Sequence, residues 1–313
     1  MSSWFVIPHH AKSKRDSDYL VETLFSIHAQ STPDWCVVIV NDNSSFYDRL
    51  NVRIKDYLPS DIIDNRFHFI VNEKRGEVSS ARNIGVKYAH KYGANIIFFQ
   101  DDDDIAHPYR IEKTLCAAEQ INQSDLIIST TFTGIDESGN SVSLENFRSD
   151  MLDVAVQHSR YTPEGSNKYL DMIRHCGYIF PTSGTAVNVD LALRCPFPDF
   201  SVSEDHVTWM NMVAGGAFIK ILEDIPFKYR FKGDAVHRPD TFLEEKYKND
   251  IEGFIISMNS YIEKFGAYFN INEVIEEFLN RLNNCLSVQG NYTLSDMYNF
   301  KASFLEIKSK IKE

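Results

Sequence analysis

Closely spaced cysteines are absent from this chain of 313 residues. Its five cysteines are Cys36, Cys116, Cys176, Cys195 and Cys285. They form no CxxC pair, which argues against a zinc ribbon. An odd number of widely spaced cysteines is typical of reduced thiols, so we expect a cytoplasmic protein without disulfides.

Basic residues are fewer than acidic ones. Lys and Arg number 32 against 44 Asp and Glu, which gives a net charge of −12. Such a surface disfavours a nucleic-acid backbone, which needs clustered Lys and Arg. It equally disfavours a polybasic patch for anionic lipids. A nucleotide ligand is still compatible with this charge if a metal ion bridges ligand and protein.

Long apolar runs are also lacking. No run approaches the length of roughly 18 residues that a membrane-spanning helix needs. Residues Met1–Pro8 lack the basic region and long apolar core of a signal peptide. A Gly-rich phosphate loop of the GxxxxGK type is absent too. We therefore expect no transmembrane segment, and a protein that is cytoplasmic or bound peripherally to the inner face of the membrane.

The most unusual stretch that is present is an acidic run directly after an apolar segment. Ile96–Phe99 reads as a buried strand, and Asp101–Asp104 places four carboxylates where that strand ends. Like charges raise one another's pKa, so this arrangement is costly. A divalent cation is the simplest remedy, because hard cations take oxygen ligands. The run predicts a metal–nucleotide site, and the alternative is a solvated acidic turn.

Apolar strands alternate with helical patterns in the first third of the chain. The predicted strands are Trp4–Ile7, Trp35–Val40, Phe67–Val71 and Ile96–Phe99, and the predicted helices are Tyr19–Gln30, Phe46–Tyr57 and Val78–Tyr92. This alternation indicates parallel βαβ units, in which ligands bind beyond the carboxyl ends of the strands. Polar clusters occupy three such ends: His9–His10, Asn41–Ser44 and Asp101–Asp104. Their coincidence favours a site over a solvated turn.

The remainder of the chain is less regular. Three further segments have the composition of strands: Leu126–Thr131, Phe218–Leu222 and Phe227–Phe231. The polar stretch Gly134–Asn167 is typical of a lid or substrate loop. Glu204–Asp205 stands at the head of an apolar helix, Val207–Ala214, where acids also suit the helix dipole. Residues 240–313 have helical periodicity, and we expect them to pack on the host domain, on a second copy of the chain or on another partner.

Five short motifs follow one another along the chain: Ile7-Pro8 with Leu24–Gln30, Val38–Ser44, Asn72–Gly76 with Ser80–Gly85, Phe98–Pro108, and Glu204-Asp205. In the same order they look like the opening strand and S-I-x-x-Q helix, V-V-D-D-G-S, N-x-G…A-R-N-x-G, F-L-D-x-D-D-x-x-x-P and the distal E-D of the family 2 glycosyltransferases of GT-A fold. The chain resembles this family from Trp4 to His237. In the second motif Asn43 replaces Gly, and Asn tolerates the left-handed conformation that Gly would supply.

The resemblance implies an α/β protein of GT-A fold, with a mixed, mainly parallel sheet flanked by helices and a C-terminal helical extension. The transferase domain would span residues 1–239, with a nucleotide-binding half at 1–108 and an acceptor or catalytic half at 109–239. The implied reaction is an inverting, metal-dependent transfer of a sugar from a nucleoside-diphosphate donor, a UDP-sugar for instance, to a hydroxyl acceptor in bacterial glycan or polysaccharide biosynthesis. The motifs leave open whether the acceptor is a glycan, a lipid-linked glycan or a peptide.

The resemblance also implies roles for individual residues. The donor pocket would be formed by Pro8, Asp42, Arg82, Asp101, Asp102 and Asp104, with Asp42 accepting a hydrogen bond from the nucleobase. Asp103 would hold Mn²⁺ or Mg²⁺. His237 is a candidate further ligand, because some relatives have a metal ligand on a late loop. Tyr229-Arg230 and this later His meet the family's Y-R-x-H pattern only loosely. Asp205 would be the general base, supported by Glu204.

Two other interpretations stay open at the level of sequence. A metal-dependent nucleotidyltransferase of similar topology would use the acids on a nucleoside triphosphate, but Glu204 and Asp205 would then have no role. A non-catalytic sugar-nucleotide or glycan-binding module would have the same fold. The presence of both Asp103 and Asp205 argues against that second alternative.

Overall fold

The computed structural model describes residues 2–44, 60–73, 76–147, 152, 154–156, 158, 161–174, 180–232, 242–266 and 273–278. The described strands are β1 (Ser3–His9), β2 (Trp35–Asn41), β3 (Phe67–Val71), β4 (Ile96–Phe99), β5 (Leu126–Ile135), β6 (Ser141–Val142), β7 (Ala186–Asn188) and β8 (Phe218–Arg230). The described helices are α1 (Lys14–His28), α2 (Ser60–Arg66), α3 (Glu77–Lys91), α4 (Arg110–Ile121), α5 (Tyr169–Arg174), α6 (Val189–Arg194), α7 (Glu204–Ala214) and α8 (Phe242–Phe265), with 3₁₀ turns at Leu144–Asn146 and Thr182–Gly184.

The eight described strands form one mixed sheet, in the order β3-β2-β1-β4-β7-β5-β6, with β8 beside β5. The strands β1 to β4 are mutually parallel. β7 runs antiparallel between β4 and β5, and Ala186 lies opposite Phe98. This reversal brings the turn Thr182–Gly184, which precedes β7, beside the carboxyl end of β4.

Helices cover both faces of the sheet, which is why β1 and β2 are apolar almost throughout rather than alternating. On one face, a buried cluster includes Leu20 and Leu24 of α1, Ile63 of α2 and Ile111 of α4. Leu20 and Leu24 are 0% and 1% exposed, so each stabilises the fold by about 1.5–3 kcal/mol.

The other face of the sheet is covered by α3, α5, α6, α7 and α8. α3 lies so close to β1 that a Cβ at Gly85 would come 2.5 Å from Val6 Cγ1. α8 approaches α7 equally closely, and a Cβ at Gly253 would collide with the side chain of Val207. The two glycines therefore fix the distances at which α3 meets the sheet and α8 meets α7.

The structure corrects the predicted start of the first helix. α1 begins at Lys14 rather than at Tyr19. Ser13 caps it by accepting a hydrogen bond from the Asp16 amide, and the Asp16 carboxylate accepts from the Ser13 amide. This reciprocal capping box satisfies two amides that a helix end leaves without partners, so the helix begins before the predicted segment Tyr19–Gln30.

The strands of the second half are longer than predicted. β8 is one strand through Glu223–Asp224, where two strands were expected. It pairs with β5 on both sides of an irregularity between Thr130 and Phe132, where the partner in β8 changes from Leu222 to Phe227. β5 continues to Ile135 and pairs with β6, so the predicted loop Gly134–Asn167 contributes to the sheet at its start.

Parts of the prediction cannot be compared with the structure. The predicted helix Phe46–Tyr57 and the domain boundary at residue 239 lie outside the described residues. In the C-terminal segment, α8 and residues 273–278 are helical, as expected. Among the described helices, none combines the length and apolar character needed to cross a membrane.

Candidate active site

The carboxyl ends of β1, β2 and β4 bring the predicted polar clusters together at one edge of the sheet. The Asp42 amide donates to the His9 carbonyl at 2.8 Å. His9 Nδ1 lies 2.6 Å from Asp102 Oδ2. Pro8 is buried in β1 opposite Val40. The acidic run is therefore part of a multi-strand site rather than an isolated turn.

Asp42 is held rigidly, although it follows the end of a strand. It is 4% exposed, and its Oδ1 accepts from Asn72 Nδ2 and from the Gly76 amide, both at 2.9 Å. The turn after Asp42 has Asn43 at φ +57°, which confirms that Asn supplies the left-handed conformation here. Asn72 follows β3 and Gly76 precedes α3, so two neighbouring segments orient this carboxylate.

Each of the four acids after β4 has its own partner in the protein. Asp101 Oδ1 accepts from Arg82 at 2.8 Å, and Asp102 contacts His9. Asp103 Oδ2 lies 2.7 Å from Lys232 Nζ. Asp104 Oδ1 accepts from the Arg230 amide at 2.9 Å. From the sequence, a metal ion was expected to offset the repulsion among four adjacent acids. These protein donors were not anticipated, because they lie far away in the sequence.

Asp104 lies behind the site. It is 1% exposed, and burial, followed by the charges of Asp103 and Asp101, raises its pKa well above the usual range. Its carbonyl accepts from Thr23 Oγ1 at 2.9 Å and from Gln100 Nε2 at 3.1 Å. These contacts fix the turn that carries the other three acids.

Asp103 is largely buried but not enclosed: 21% of its side chain is exposed. Burial, with the neighbouring Asp102, raises the pKa of Asp103 to about 6, although Lys232 opposes the shift. The carboxylate oxygens of Asp103 are suitable ligands for Mg²⁺ or Mn²⁺. Such a cation needs only one or two protein carboxylates besides the phosphates of a ligand. Within the described part of the chain, no three His, Cys, Asp or Glu side chains form a complete protein cage for a metal. His237 lies outside the described residues.

Arg82, on α3, joins the acidic run to the predicted catalytic pair. It is 4% exposed; its Nη2 donates to Asp101 and its Nη1 donates to Glu204 Oε1 at 2.9 Å. Its guanidinium lies 5.1 Å from the centre of the Phe197 ring. Burial alone would lower the pKa of Arg82, but Asp101 and Glu204 outweigh it and raise the pKa.

Glu204 and Asp205 begin α7 and have different partners. Burial and the neighbouring Asp205 raise the pKa of Glu204, against the opposing effect of Arg82. Asp205 Oδ1 accepts from the His206 amide at 2.7 Å, and its Oδ2 accepts from Thr182 Oγ1 at 3.1 Å. Glu204 therefore pairs with the Arg82 guanidinium, whereas Thr182 and the His206 amide, which donate to Asp205, are neutral.

Sequence reasoning missed the turn Thr182–Gly184, which connects both groups of acids. The Asp101 amide donates to Ser183 Oγ at 3.0 Å, and Thr182 contacts Asp205. A Cβ at Gly184 would come 2.9 Å from Thr130 Oγ1, so the turn lies tightly on β5. No local pattern identifies these residues, because only the antiparallel course of β7 brings them to β4.

A cavity of about 550 Å³ opens beside this edge. Asn72 and Gly76 line one end of it, and Phe197 lines it next to α3. Its size falls within the range of small-ligand pockets, roughly 300–1,000 Å³. The same residues contact Asp42 and Arg82, so a ligand in the cavity would lie next to the site.

Known proteins resemble this chain in sequence and in fold. The model of glycosyl transferase family 2 matches residues 4–183. The uncharacterized glycosyltransferase MJ1057 of Methanocaldococcus jannaschii is 28% identical over 214 residues, 68% of this chain and 66% of that protein. S. aureus TarS 1–349 in complex with UDP-GlcNAc has a TM-score of 0.65 at 17% identity, over 98% of this chain and 81% of that one. Mannosyltransferase PcManGT from Pyrobaculum calidifontis, in complex with GDP-Man and Mn²⁺, has a TM-score of 0.53 at 13% identity, over 99% and 83%.

The sheet order and these structural matches define a GT-A glycosyltransferase fold, so the predicted fold class is confirmed. The family match covers more than half of the chain. The chain therefore belongs to glycosyl transferase family 2, and it is a glycosyltransferase, as its motifs predicted.

Proposed function

We propose that the protein transfers a sugar from a nucleoside-diphosphate donor to a hydroxyl acceptor, with inversion at the anomeric carbon and with the help of a divalent cation. One observation carries the proposal: Arg82 bridges Asp101 and Glu204, and so joins the acidic run after β4 to the acids that begin α7. A donor held at the first group and an acceptor activated at the second would meet across this bridge.

The donor side of the proposal is supported by the geometry around Asp42. A carboxylate held in place by Asn72 and Gly76 suits an N–H group of a nucleobase. Pro8, Arg82, Asp101 and Asp102 complete the predicted donor pocket. To Asp104 we assign the support of the turn rather than contact with the sugar, because it is buried. S. aureus TarS in complex with UDP-GlcNAc and PcManGT in complex with GDP-Man share the fold.

In this proposal a Mg²⁺ or Mn²⁺ ion is held by Asp103, with His237 as a candidate second ligand. Such an ion, when bound, neutralises the charge that develops on a departing diphosphate. Arg82 contributes a permanent positive charge beside the same pocket. An array of fixed charges of this kind stabilises a transition state without having to reorganise.

Asp205 is the general base of the proposal. An incoming hydroxyl needs a carboxylate within hydrogen-bond reach to take its proton. Glu204 is unsuitable because Arg82 holds it, whereas Thr182 and the His206 amide orient Asp205 with neutral donors. A single base and a single displacement invert the anomeric centre.

The remaining parts of the proposal concern the domains of the chain and its location in the cell. We propose a transferase domain at 1–239 and a helical segment at 240–313 that supports it. α8 packs along α7, where Asn249 Nδ2 donates to the Val202 carbonyl at 3.0 Å, close to the start of the helix that carries Asp205. The described cysteines Cys36, Cys116 and Cys195 are free thiols, which supports a cytoplasmic location. We propose a role there in bacterial glycan or polysaccharide biosynthesis, with the protein at the inner face of the membrane if its acceptor is lipid-linked.

The test separates donor binding from catalysis. A nucleoside diphosphate that binds the native state raises its melting temperature, so UDP and GDP are compared with and without Mn²⁺. The Asp205→Asn variant should keep this shift and lose transfer by about 10²–10⁴-fold, the usual contribution of a general base. Asp190→Asn, an exposed acid on α6, is the control and should keep both.

Two results would contradict the proposal. Full transfer by the Asp205→Asn variant would show that another group takes the proton. Absence of a melting shift with every nucleoside diphosphate would remove the donor site and favour a glycan-binding module. A shift with nucleoside triphosphates only would instead favour a nucleotidyltransferase.

A further inference from the structure

Lys232, the second residue after β8, places a positive charge beside Asp103. Its Nζ lies 2.7 Å from Asp103 Oδ2 and 5.5 Å from the centre of the Tyr19 ring. The Lys232 side chain is 41% exposed and that of Asp103 is 21% exposed. The ion pair therefore lies at the surface of the donor site, where a ligand can reach it.

The backbone before Lys232 is fixed to the same turn that carries Asp103. The Arg230 amide donates to Asp104 Oδ1, and Arg230 Nε donates to the Asp103 carbonyl at 2.8 Å. The Phe231 amide donates to the Ile135 carbonyl at 2.8 Å. These three bonds hold Lys232 opposite Asp103, so their pairing is built into the fold.

The Lys232 ammonium is charged in this setting. Burial alone would lower the pKa of Lys232, but Asp103 and then Asp102 outweigh burial and raise it. A protonated ammonium has three donors and no lone pair, so it binds a carboxylate or a phosphate but cannot ligate a metal ion. It also repels a second cation at the same oxygen.

We propose that Lys232 is the resident cation of the donor site, and that Lys232 and a divalent cation exclude each other at Asp103. The inference rests on the proposed donor site and adds a residue to it. Without metal, the Lys232 charge faces the diphosphate of the nucleotide. When a divalent cation binds Asp103, it displaces the ammonium, so Lys232 lowers the affinity of the site for metal.

One variant tests both consequences. Lys232→Met removes the charge and keeps most of the apolar stem. Mn²⁺ affinity is measured by titration calorimetry without nucleotide, and the affinities for UDP and GDP are measured in EDTA. We expect Mn²⁺ to bind about tenfold more tightly and the nucleoside diphosphate to bind about tenfold more weakly than in the wild type. A merely structural role of Lys232 would weaken both.

Two further variants control the experiment. Lys113→Met removes an exposed lysine that pairs with Asp224 at 3.0 Å, and it should leave both affinities unchanged. Lys232→Arg keeps the charge and should keep metal-free nucleotide binding near the wild-type value.

The outcomes distinguish this inference from the proposed function. If Lys232→Met binds nucleoside diphosphates as the wild type does and its Mn²⁺ affinity is unchanged or weaker, the inference is wrong and the donor site stands. If Mn²⁺ binds neither protein, the inference is equally wrong. If the wild type binds no nucleoside diphosphate with or without Mn²⁺, the donor site itself is wrong, and the inference with it.

Discussion

Two buried arginines lie on opposite faces of the sheet near the end of β4, and their partners differ. Arg82 belongs to α3, on the face that α7 also covers, and it pairs with the carboxylates of Asp101 and Glu204. Arg110 begins α4 on the other face, beside the rings of Phe5 and Phe98.

Arg110 binds neutral oxygens. Its Nη1 donates to Gln100 Oε1 at 2.6 Å, and its Nη2 donates to the carbonyls of Phe99 and Thr185 at 2.8 and 3.3 Å. Burial lowers its pKa to about 9, although Asp104 and Asp101 oppose the shift. The pKa of Arg82 moves in the opposite direction because its partners are anions.

The difference indicates separate tasks for two residues of the same type. Arg110 ties β4 to the start of β7 through backbone carbonyls, so it stabilises the frame on which the acids stand. Arg82 joins two partly exposed carboxylates, with 32% and 13% of their side chains exposed, so a ligand anion can compete for it. We therefore expect Arg110 to act mainly on stability and Arg82 mainly on activity.

The largest effect on stability is expected for Arg110→Met. The change removes the guanidinium donor from the buried oxygens of Gln100 and Phe99, whereas the Thr185 carbonyl keeps the Phe99 amide at 3.0 Å. Each unsatisfied group costs about 1–3 kcal/mol. The free energy of unfolding should fall by about 3–5 kcal/mol in urea denaturation followed by circular dichroism. Lys113→Met, an exposed change on the same helix, should stay within about 0.5 kcal/mol of wild type. A loss below about 1 kcal/mol for Arg110→Met would refute the structural task.

A smaller loss of stability and a larger loss of activity are expected for Arg82→Met. Water can reach Asp101 and Glu204 once the guanidinium is gone, so the free energy of unfolding should fall by only about 1–2 kcal/mol. Transfer should fall by at least about a hundredfold, because a fixed charge beside the donor is lost. The comparison would be broken if Arg82→Met kept its transfer rate, or if Arg110→Met lost transfer while remaining fully stable.

The parts of the fold that could be predicted have local signals in the sequence. Alternating apolar strands and helices identified β1 to β4, and the polar residues that follow them identified the edge of the sheet. The single strand β8 was not predictable, because Glu223-Asp224 has the composition of a turn, and the β5 residues that pair on either side of it are distant in sequence. The start of α1 was missed although its capping box, Ser13 with Asp16, is a local signal.

The candidate site was predictable only in part. Motif order identified Asp42, Arg82 and the acids, whose roles stay predictions. The groups that hold the acidic run come from distant segments: Ser183, whose Oγ accepts from the Asp101 amide, lies 82 residues away, and Arg230, whose amide donates to the Asp104 carboxylate, lies 126 residues away. Such contacts depend on the order and direction of strands, which no short stretch of sequence contains.

The smallest effect on stability is expected for a change of Glu204, the acid that pairs with Arg82. Because the folded-state pKa of Glu204 lies above its ordinary 4.5, the folded protein binds this proton more tightly than the unfolded chain. The contribution of Glu204 to the free energy of unfolding therefore falls as pH rises from 4.5 through the folded-state pKa, and it is constant above that value. Glu204→Gln removes this dependence.

The stability of Glu204→Gln relative to wild type should therefore increase as pH rises through that window. Urea denaturation of both proteins between about pH 4 and pH 8 measures the difference, and Glu119→Gln, on the exposed side of α4, serves as the control. A difference that decreases with pH would mean that Arg82 outweighs burial and holds Glu204 as a stabilising anion. Arg82 would then resemble Arg110 in its task, and the contrast between the two arginines would be smaller than their partners suggest.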